Sequence, residues 1–209
     1  MDNGFEFVHQ LPTPFVLEVT GGITNGRDPG HSHNERGPRP QIPLHYLRVA
    51  SFLTTAPASG VQFAVNGMGH KDDNGRRLAV SGIDFIWRHR HGRMTRWLLQ
   101  GEGYFRQLSS LDTVSREKQY GGYLYGEKGW TSQWATGLRL DALTSRHPLA
   151  KPQDYAVLAN ITYRNSEFSL LRLTYQYNYQ RLYAEANSDH HTIEVQFVAI
   201  LGSHPAHQF

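Results

Sequence analysis

Apolar and polar side chains alternate along most of this chain. Near the carboxyl end Ile193, Val195, Phe197, Ala199 and Leu201 fall on one side and Glu194 and Gln196 on the other. Tyr155, Val157, Ala159, Ile161 and Tyr163 repeat the pattern, as do Leu171, Leu173, Tyr175, Tyr177 and Tyr179. A repeat of two is the signature of a strand with two unlike faces. No stretch shows a convincing helical repeat. The pattern predicts ten strands: 15–24, 44–53, 61–68, 78–88, 97–106, 120–127, 134–141, 155–164, 171–179 and 192–201. Residues 1–14 read as a polar lead-in ending in Leu11-Pro12-Thr13-Pro14, because prolines argue against a central strand. Residues 15–209 then form the strand-built domain.

The connections carry as much information as the strands. Long and short ones alternate by parity. The stretch from Asn25 to Gln41 is long and rich in Pro, Gly and His, whereas Thr54 to Gly60 is a short turn. Arg90-His91-Gly92 and Lys128-Gly129 are expected as tight turns, and longer polar segments intervene. Transmembrane barrels have short periplasmic turns and longer outer loops, whereas a sandwich has no reason to sort its connections this way. The chain also stops on an aromatic, Phe209, although termini usually fray in water. The expected fold is an all-β antiparallel meander forming a transmembrane β-barrel, or the carboxyl-terminal ten-stranded portion of one. A soluble all-β ligand-binding module, with two sheets stacked over a core, is the alternative.

Composition narrows this picture. No run approaches the ~20 apolar residues of a transmembrane helix. Cysteine is absent, which excludes disulfide staples and thiol chemistry. The net charge of +3 is spread out except for Arg88, His89, Arg90, His91, Arg93 and Arg96. That cluster, flanked by Trp87 and Trp97, sits at an expected tight turn, so a nucleic-acid groove is not the reading taken. The opening Met1-Asp2-Asn3-Gly4-Phe5 is not a secretory signal. On the barrel reading, the chain is expected to be the tail of something longer.

The face opposite the apolar one gathers the charges: Arg48, Asp84, Arg88, Glu102, Arg106, Arg139, Asp141, Arg164, Arg172 and Glu194, with Glu18. Charges facing a dry core would each need a partner. Facing a wet lumen they cost little, so these residues are expected to line a lumen. Aromatics gather near strand ends, at Trp87, Trp97, Trp134, Tyr163 and Tyr179, where interfacial girdles sit. His31, His33, His70, His190 and His191 fall in expected outer loops and are the candidate metal ligands, zinc being the metal that such residues suit. No other cofactor is expected. Enzymatic activity is not expected either: the chain has no nucleophile elbow, phosphate loop or zinc-protease helix motif. Asp72, Asp73, Asp189 and His190 are the residues that a barrel protease would have to recruit.

Several segments carry a family resemblance. Leu11-Pro12-Thr13-Pro14-Phe15, Ser81-Gly82-Ile83-Asp84-Phe85-Ile86-Trp87 and Leu99-Gln100-Gly101-Glu102-Gly103-Tyr104-Phe105 look like porin-like outer-membrane β-barrels of Gram-negative bacteria. So do Ser166-Glu167-Phe168-Ser169-Leu170-Leu171-Arg172-Leu173 and the ending Leu201-Gly202-Ser203-His204-Pro205-Ala206-His207-Gln208-Phe209. These barrels are often labelled zinc-regulated or TonB-dependent outer-membrane receptors, and the resemblance is to the carboxyl-terminal part of such a chain. It implies outer-membrane residence and passage or uptake of small solutes, metal among them. The partners it implies are membrane lipid and the barrel-assembly machinery, which would engage the last strand and Phe209.

Overall fold

The computed structural model describes residues 4–24, 40–72, 75–92, 94–109, 116–146, 153–166, 168–181 and 187–199. They form one antiparallel sheet of eleven strands in chain order: β1 (Gly4–Leu11), β2 (Val16–Thr24), β3 (Pro40–Ala56), β4 (Ser59–Asp72), β5 (Arg77–His91), β6 (Met94–Ser109), β7 (Arg116–Gly129), β8 (Trp134–Arg146), β9 (Gln153–Ser166), β10 (Ser169–Arg181) and β11 (Ser188–Ala199). Each strand pairs only with its neighbours in sequence, and among the described residues β1 and β11 make no contact with each other. The architecture is therefore an all-β meander of barrel type, one sheet thick, with no observed seam.

The count is eleven and not ten. The segment expected as a polar lead-in contains β1, paired with β2 from Gly4 opposite Thr24 to Leu11 opposite Leu17. Pro12 and Pro14 lie in the turn, where the missing N–H of proline costs no ladder bond. Thr13 closes that turn by donating its backbone N–H to Leu11 O at 2.8 Å and its hydroxyl to Phe15 O.

The short connections are 12–15, 57–58, 92–93, 130–133 and 167–168, all at one end of the sheet. The connections 25–39, 73–76, 110–115, 147–152 and 182–187 join the strands at the other end. Two turns show how sequence fixes this end. Gly92 adopts φ +60° between β5 and β6, a left-handed conformation that a side chain disfavours. The turn expected at Lys128-Gly129 is displaced: β7 runs through both, and the chain reverses over 130–133. There Thr131 Oγ1 accepts from the backbone N–H of Trp134 at 3.0 Å and of Gln133 at 3.2 Å. A hydroxyl that caps its own turn in this way competes well with a continued ladder.

Among the described residues there is no hydrophobic core in the ordinary sense. The buried hydrophobic residues among those described are Ala50, Ala64 and Ala135, while Ile83 is 54% and Leu138 50% exposed. A soluble two-layer protein of this size would bury such side chains between its sheets. The stacked sandwich expected on the alternative reading is not what the structure shows.

Candidate functional site

Residues paired in register across a sheet project to the same side, and residues two apart on a strand do likewise. Asp84 is paired with Glu102, Glu102 with Tyr123, and Tyr123 with Asp141. The same row continues through Ala156 and Asn178 to His190. In the other direction it passes from Asp84 through Ala64 and Ala50 to Glu18. Steps of two from this row reach Arg48, Arg88, Arg106, Arg139, Arg164, Arg172 and Glu194. All ten charged residues expected to line a lumen thus share one face. Residues of β6 to β11, Glu102, Tyr123, Arg139, Asp141, Asn178 and His190 among them, surround a single space of about 580 Å³. Apolar-face side chains such as Ile83, Leu138 and Leu140 are about half exposed, whereas Glu127, Asn160, Thr162 and Thr174 on the polar face are buried and polar side chains there meet across two strands, so the polar face is the concave one.

The charges are tied together by a recurring device. Arg48 on β3 makes a two-pronged contact with Asp84 on β5, Nη2 donating to Oδ1 at 2.9 Å and Nη1 to Oδ2. The pair passes over β4, where Ala64 has no exposed surface. Arg164 on β9 donates to Glu127 on β7 at 2.9 Å, and Ala135 on the intervening β8 likewise has none. Tyr46 on β3 donates to Glu6 on β1 across β2, at Gly22, where a Cβ would collide with the tyrosine ring. A long polar side chain can cross a strand only where that strand offers no side chain to block it. Small residues on the polar face thus let strands n and n+2 be linked directly.

Other contacts are local. Arg139 Nε and Nη2 donate to Asp141 on the same strand at 2.7–3.0 Å, and the guanidinium stacks 3.9 Å over the Tyr123 ring. Arg106 donates to Gln119 at 2.9 Å, and Arg172 to Thr162 Oγ1 at 3.0 Å. Toward the short-turn end Tyr125 donates to Glu127 at 2.8 Å, above Gly137, where a Cβ would strike its hydroxyl. Glu127, Asn160, Thr162 and Thr174 are the buried polar residues among those described, and all lie on this face. Sequence reasoning passed over them. Glu127 was hidden because it directly precedes the expected turn at Lys128. The signal available was parity: Glu127 is two and four residues from Tyr125 and Tyr123, on the face that carries Arg139 and Asp141.

The reverse face is apolar in its middle and aromatic at both ends. Trp134 packs on Tyr163 with ring centroids 4.8 Å apart, and Lys128 lies 5.0 Å from the Trp97 ring and 3.9 Å from that of Trp130. At the opposite end Phe105 meets Tyr120 at 5.1 Å and Tyr177 meets His191 at 5.0 Å. On β9 the interval from Tyr155 to Tyr163 spans eight residue steps, about 26 Å along the strand at the usual rise. Tilted by the ~40° common to membrane barrels, that gives an apolar band ~20 Å tall, close to the ~25 Å expected.

Among the described residues the candidate metal ligands are not assembled. His31 and His33 lie outside the described residues, as do Phe209 and the tail from residue 200. His70 stands on β4 and His190 and His191 on β11. His190 shares the polar face, whereas His191 is on the apolar face beside Tyr175 and Tyr177 and 3.7 Å from Asp189. Adjacent residues of a strand point oppositely, so these two cannot ligate one ion from their strand positions. No group of three or more metal-ligating side chains occurs among the described residues. The residues a protease would recruit are likewise split: Asp189 and His190 face opposite ways, and Asp73 lies outside the described residues.

No protein-family model matches the chain, and no curated protein matches it. Among solved structures it is similar to OmpTΔL8, a loop L8 deletion mutant of OmpT, an outer membrane protein of Vibrio cholerae. The TM-score is 0.57 at 11% sequence identity, over 92% of this chain and 61% of that one. The chain thus spans less than two thirds of the length of the structure it resembles. At this identity the likeness shows the fold alone, that of an outer-membrane β-barrel protein, and it points to no zinc-regulated or TonB-dependent receptor in particular. It also corrects the expectation that the chain is not an enzyme. One barrel architecture hosts unrelated functions, so the absence of familiar motifs carries no exclusion of catalysis.

Proposed function

We propose that the chain forms wall of an outer-membrane pore or receptor barrel, along whose charged face small polar solutes pass. One observation carries this reading: a single sheet bears its charges on the concave face and an exposed apolar band between two aromatic zones on the other. Arg48, Asp84, Glu102, Arg139, Asp141 and Arg172 then line the water-filled side, and Ile83, Leu138 and Leu140 meet acyl chains. The short turns lie on the periplasmic side. Membrane lipid and the barrel-assembly machinery are the partners. Both signs of charge line the path and several are paired with each other, so the wall favours small polar solutes over strong selection by charge. A metal cargo draws no support from the described histidines, which stand apart.

The chain has no cysteine, so single cysteines report cleanly on each face. After reconstitution in lipid vesicles, Ile83→Cys and Leu140→Cys should resist a charged, water-soluble thiol reagent. Glu102→Cys and Gln100→Cys should react at rates near those in detergent-free water. Equal reaction of both sets in the presence of lipid would remove the reading.

A further inference from the structure

Among the described residues the two outermost strands run in the same direction. β1 leads into the short turn 12–15, and β11 starts after the long connection 182–187 and also runs toward the short-turn end. An antiparallel meander with an odd number of strands always has this property. Direct pairing of β1 with β11 would therefore make a parallel seam, whereas single-chain bacterial outer-membrane barrels are antiparallel throughout with an even strand number. A second copy offers no better partner. Inserted in the same orientation, it too presents strands that run the same way.

Neither outer strand is built as an edge. Natural sheets blunt an exposed edge with proline, lysine or a bulge. β1 and β11 contain neither proline nor lysine, and their ladders with β2 and β10 show no register shift. Instead they keep the two-faced alternation of interior strands. Ile193, Val195 and Phe197 continue the apolar band while Thr192, Glu194 and Gln196 continue the polar face. They remain 74%, 68% and 71% exposed, and Phe5 of β1 87%, because one flank of each strand is open. An open flank in lipid leaves backbone groups without partners.

We propose that β1 and β11 are the two lips of a gap that takes an odd number of further antiparallel strands, continuous with this polypeptide. This rests on the membrane-wall reading above. Odd is the only count whose first and last strands both run opposite to the lips. Continuity with the chain is supported by the resemblance to OmpTΔL8, whose fold extends well past the 61% that this chain covers.

The chain supplies its own test strand. β10 runs in the required direction and already pairs with β11, Leu173 opposite Val195. A copy of residues 169–187 fused ahead of residue 1 adds one such strand, and a copy of 153–187 adds two. The parent and both fusions are refolded in detergent micelles and run on gels with and without heating. The one-strand fusion should become heat-modifiable, while the parent and the two-strand fusion should not. The proposal is overturned if the parent is heat-modifiable, or if both fusions or neither gain that property. A disulfide between Phe7→Cys and Val195→Cys in the parent, within one chain or between copies, also overturns it. Flotation of the parent and both fusions with lipid vesicles separates the two ideas. If neither the parent nor either fusion floats, the membrane reading itself is defeated, whereas flotation combined with heat-modifiability at the wrong parity defeats only the gap.

Discussion

Arg164 reaches across a whole strand to Glu127, closing a 2.9 Å ion pair over Ala135. Glu127 is only 6% exposed, and Tyr125 donates to its other oxygen. A carboxylate held this way depends on its partners, because a buried charge left alone costs more than the pair gains. Arg164→Met should therefore destabilise the folded chain by about 3 kcal/mol, read as a shift in urea-induced unfolding in detergent micelles. Glu127→Gln with Arg164→Met should recover a good part of the loss. A double variant no more stable than Arg164→Met alone would speak against this account.

The Arg139–Asp141 pair is a useful contrast. Both side chains are about a third exposed and neighbours on one strand. A double-mutant cycle with Arg139→Ala and Asp141→Ala should return a coupling of ~0.5 kcal/mol, in the range of solvated pairs. A coupling as large as that at Glu127 would show that this part of the face is dry.

Ala135→Leu tests the crossing itself. The added side chain stands where the guanidinium of Arg164 passes, so the ion pair and the packing should suffer together, at a cost of roughly 1–3 kcal/mol. The same change at Ala159, on the apolar face, should cost less than half as much in the same unfolding assay.

The apolar band predicts a dependence on depth. Leu140 lies near the middle of β8, so Leu140→Arg should weaken folding into vesicles by about 2–4 kcal/mol. Thr136→Arg, nearer the aromatic zone, should cost ~1 kcal/mol or less. Similar costs at the two positions would mean that this side does not meet hydrocarbon.

Gly92 and Gly137 should respond to alanine for different reasons. Nothing lies within 4 Å of a Cβ built at Gly92, so Gly92→Ala should cost only the ~1 kcal/mol of a left-handed backbone. At Gly137 the new methyl group displaces the Tyr125 hydroxyl from its site beside Glu127. Gly137→Ala should therefore cost more than Gly92→Ala in urea-induced unfolding, because the Tyr125 ring and its hydroxyl must both move away from Glu127, and equal costs would count against this account.

Much of this was legible in the sequence because a repeat of two encodes both the strand and its faces. Asp84 and Ile83 declare opposite sides without any knowledge of partners, and every charged residue read as belonging to one face is found there. Whether that face lines a lumen is a matter for the labelling experiment. Three features were less visible. β1 was obscured by Pro12 and Pro14, although Phe5, Phe7 and Leu11 alternate with Glu6, Val8 and Gln10. The Trp130 turn was misplaced because Lys128-Gly129 looks like turn chemistry, whereas Thr131 supplies the cap. The crossings at Gly22, Ala64 and Ala135 join strands n and n+2, and no local pattern announces which small residue lies beneath a long one. The opposed directions of His190 and His191 follow from parity alone, yet their adjacency in sequence suggested a shared site.

Every strand in this sheet forms its backbone ladder only with those next to it along the chain, and the longest side-chain links skip a single strand. Order can therefore spread from any hairpin to its neighbour, like a zipper with many starting points, and no distant segments need to find one another first. Damage to one hairpin should stay local during assembly, and the last pairing to form should be the only one that has to wait for the whole wall.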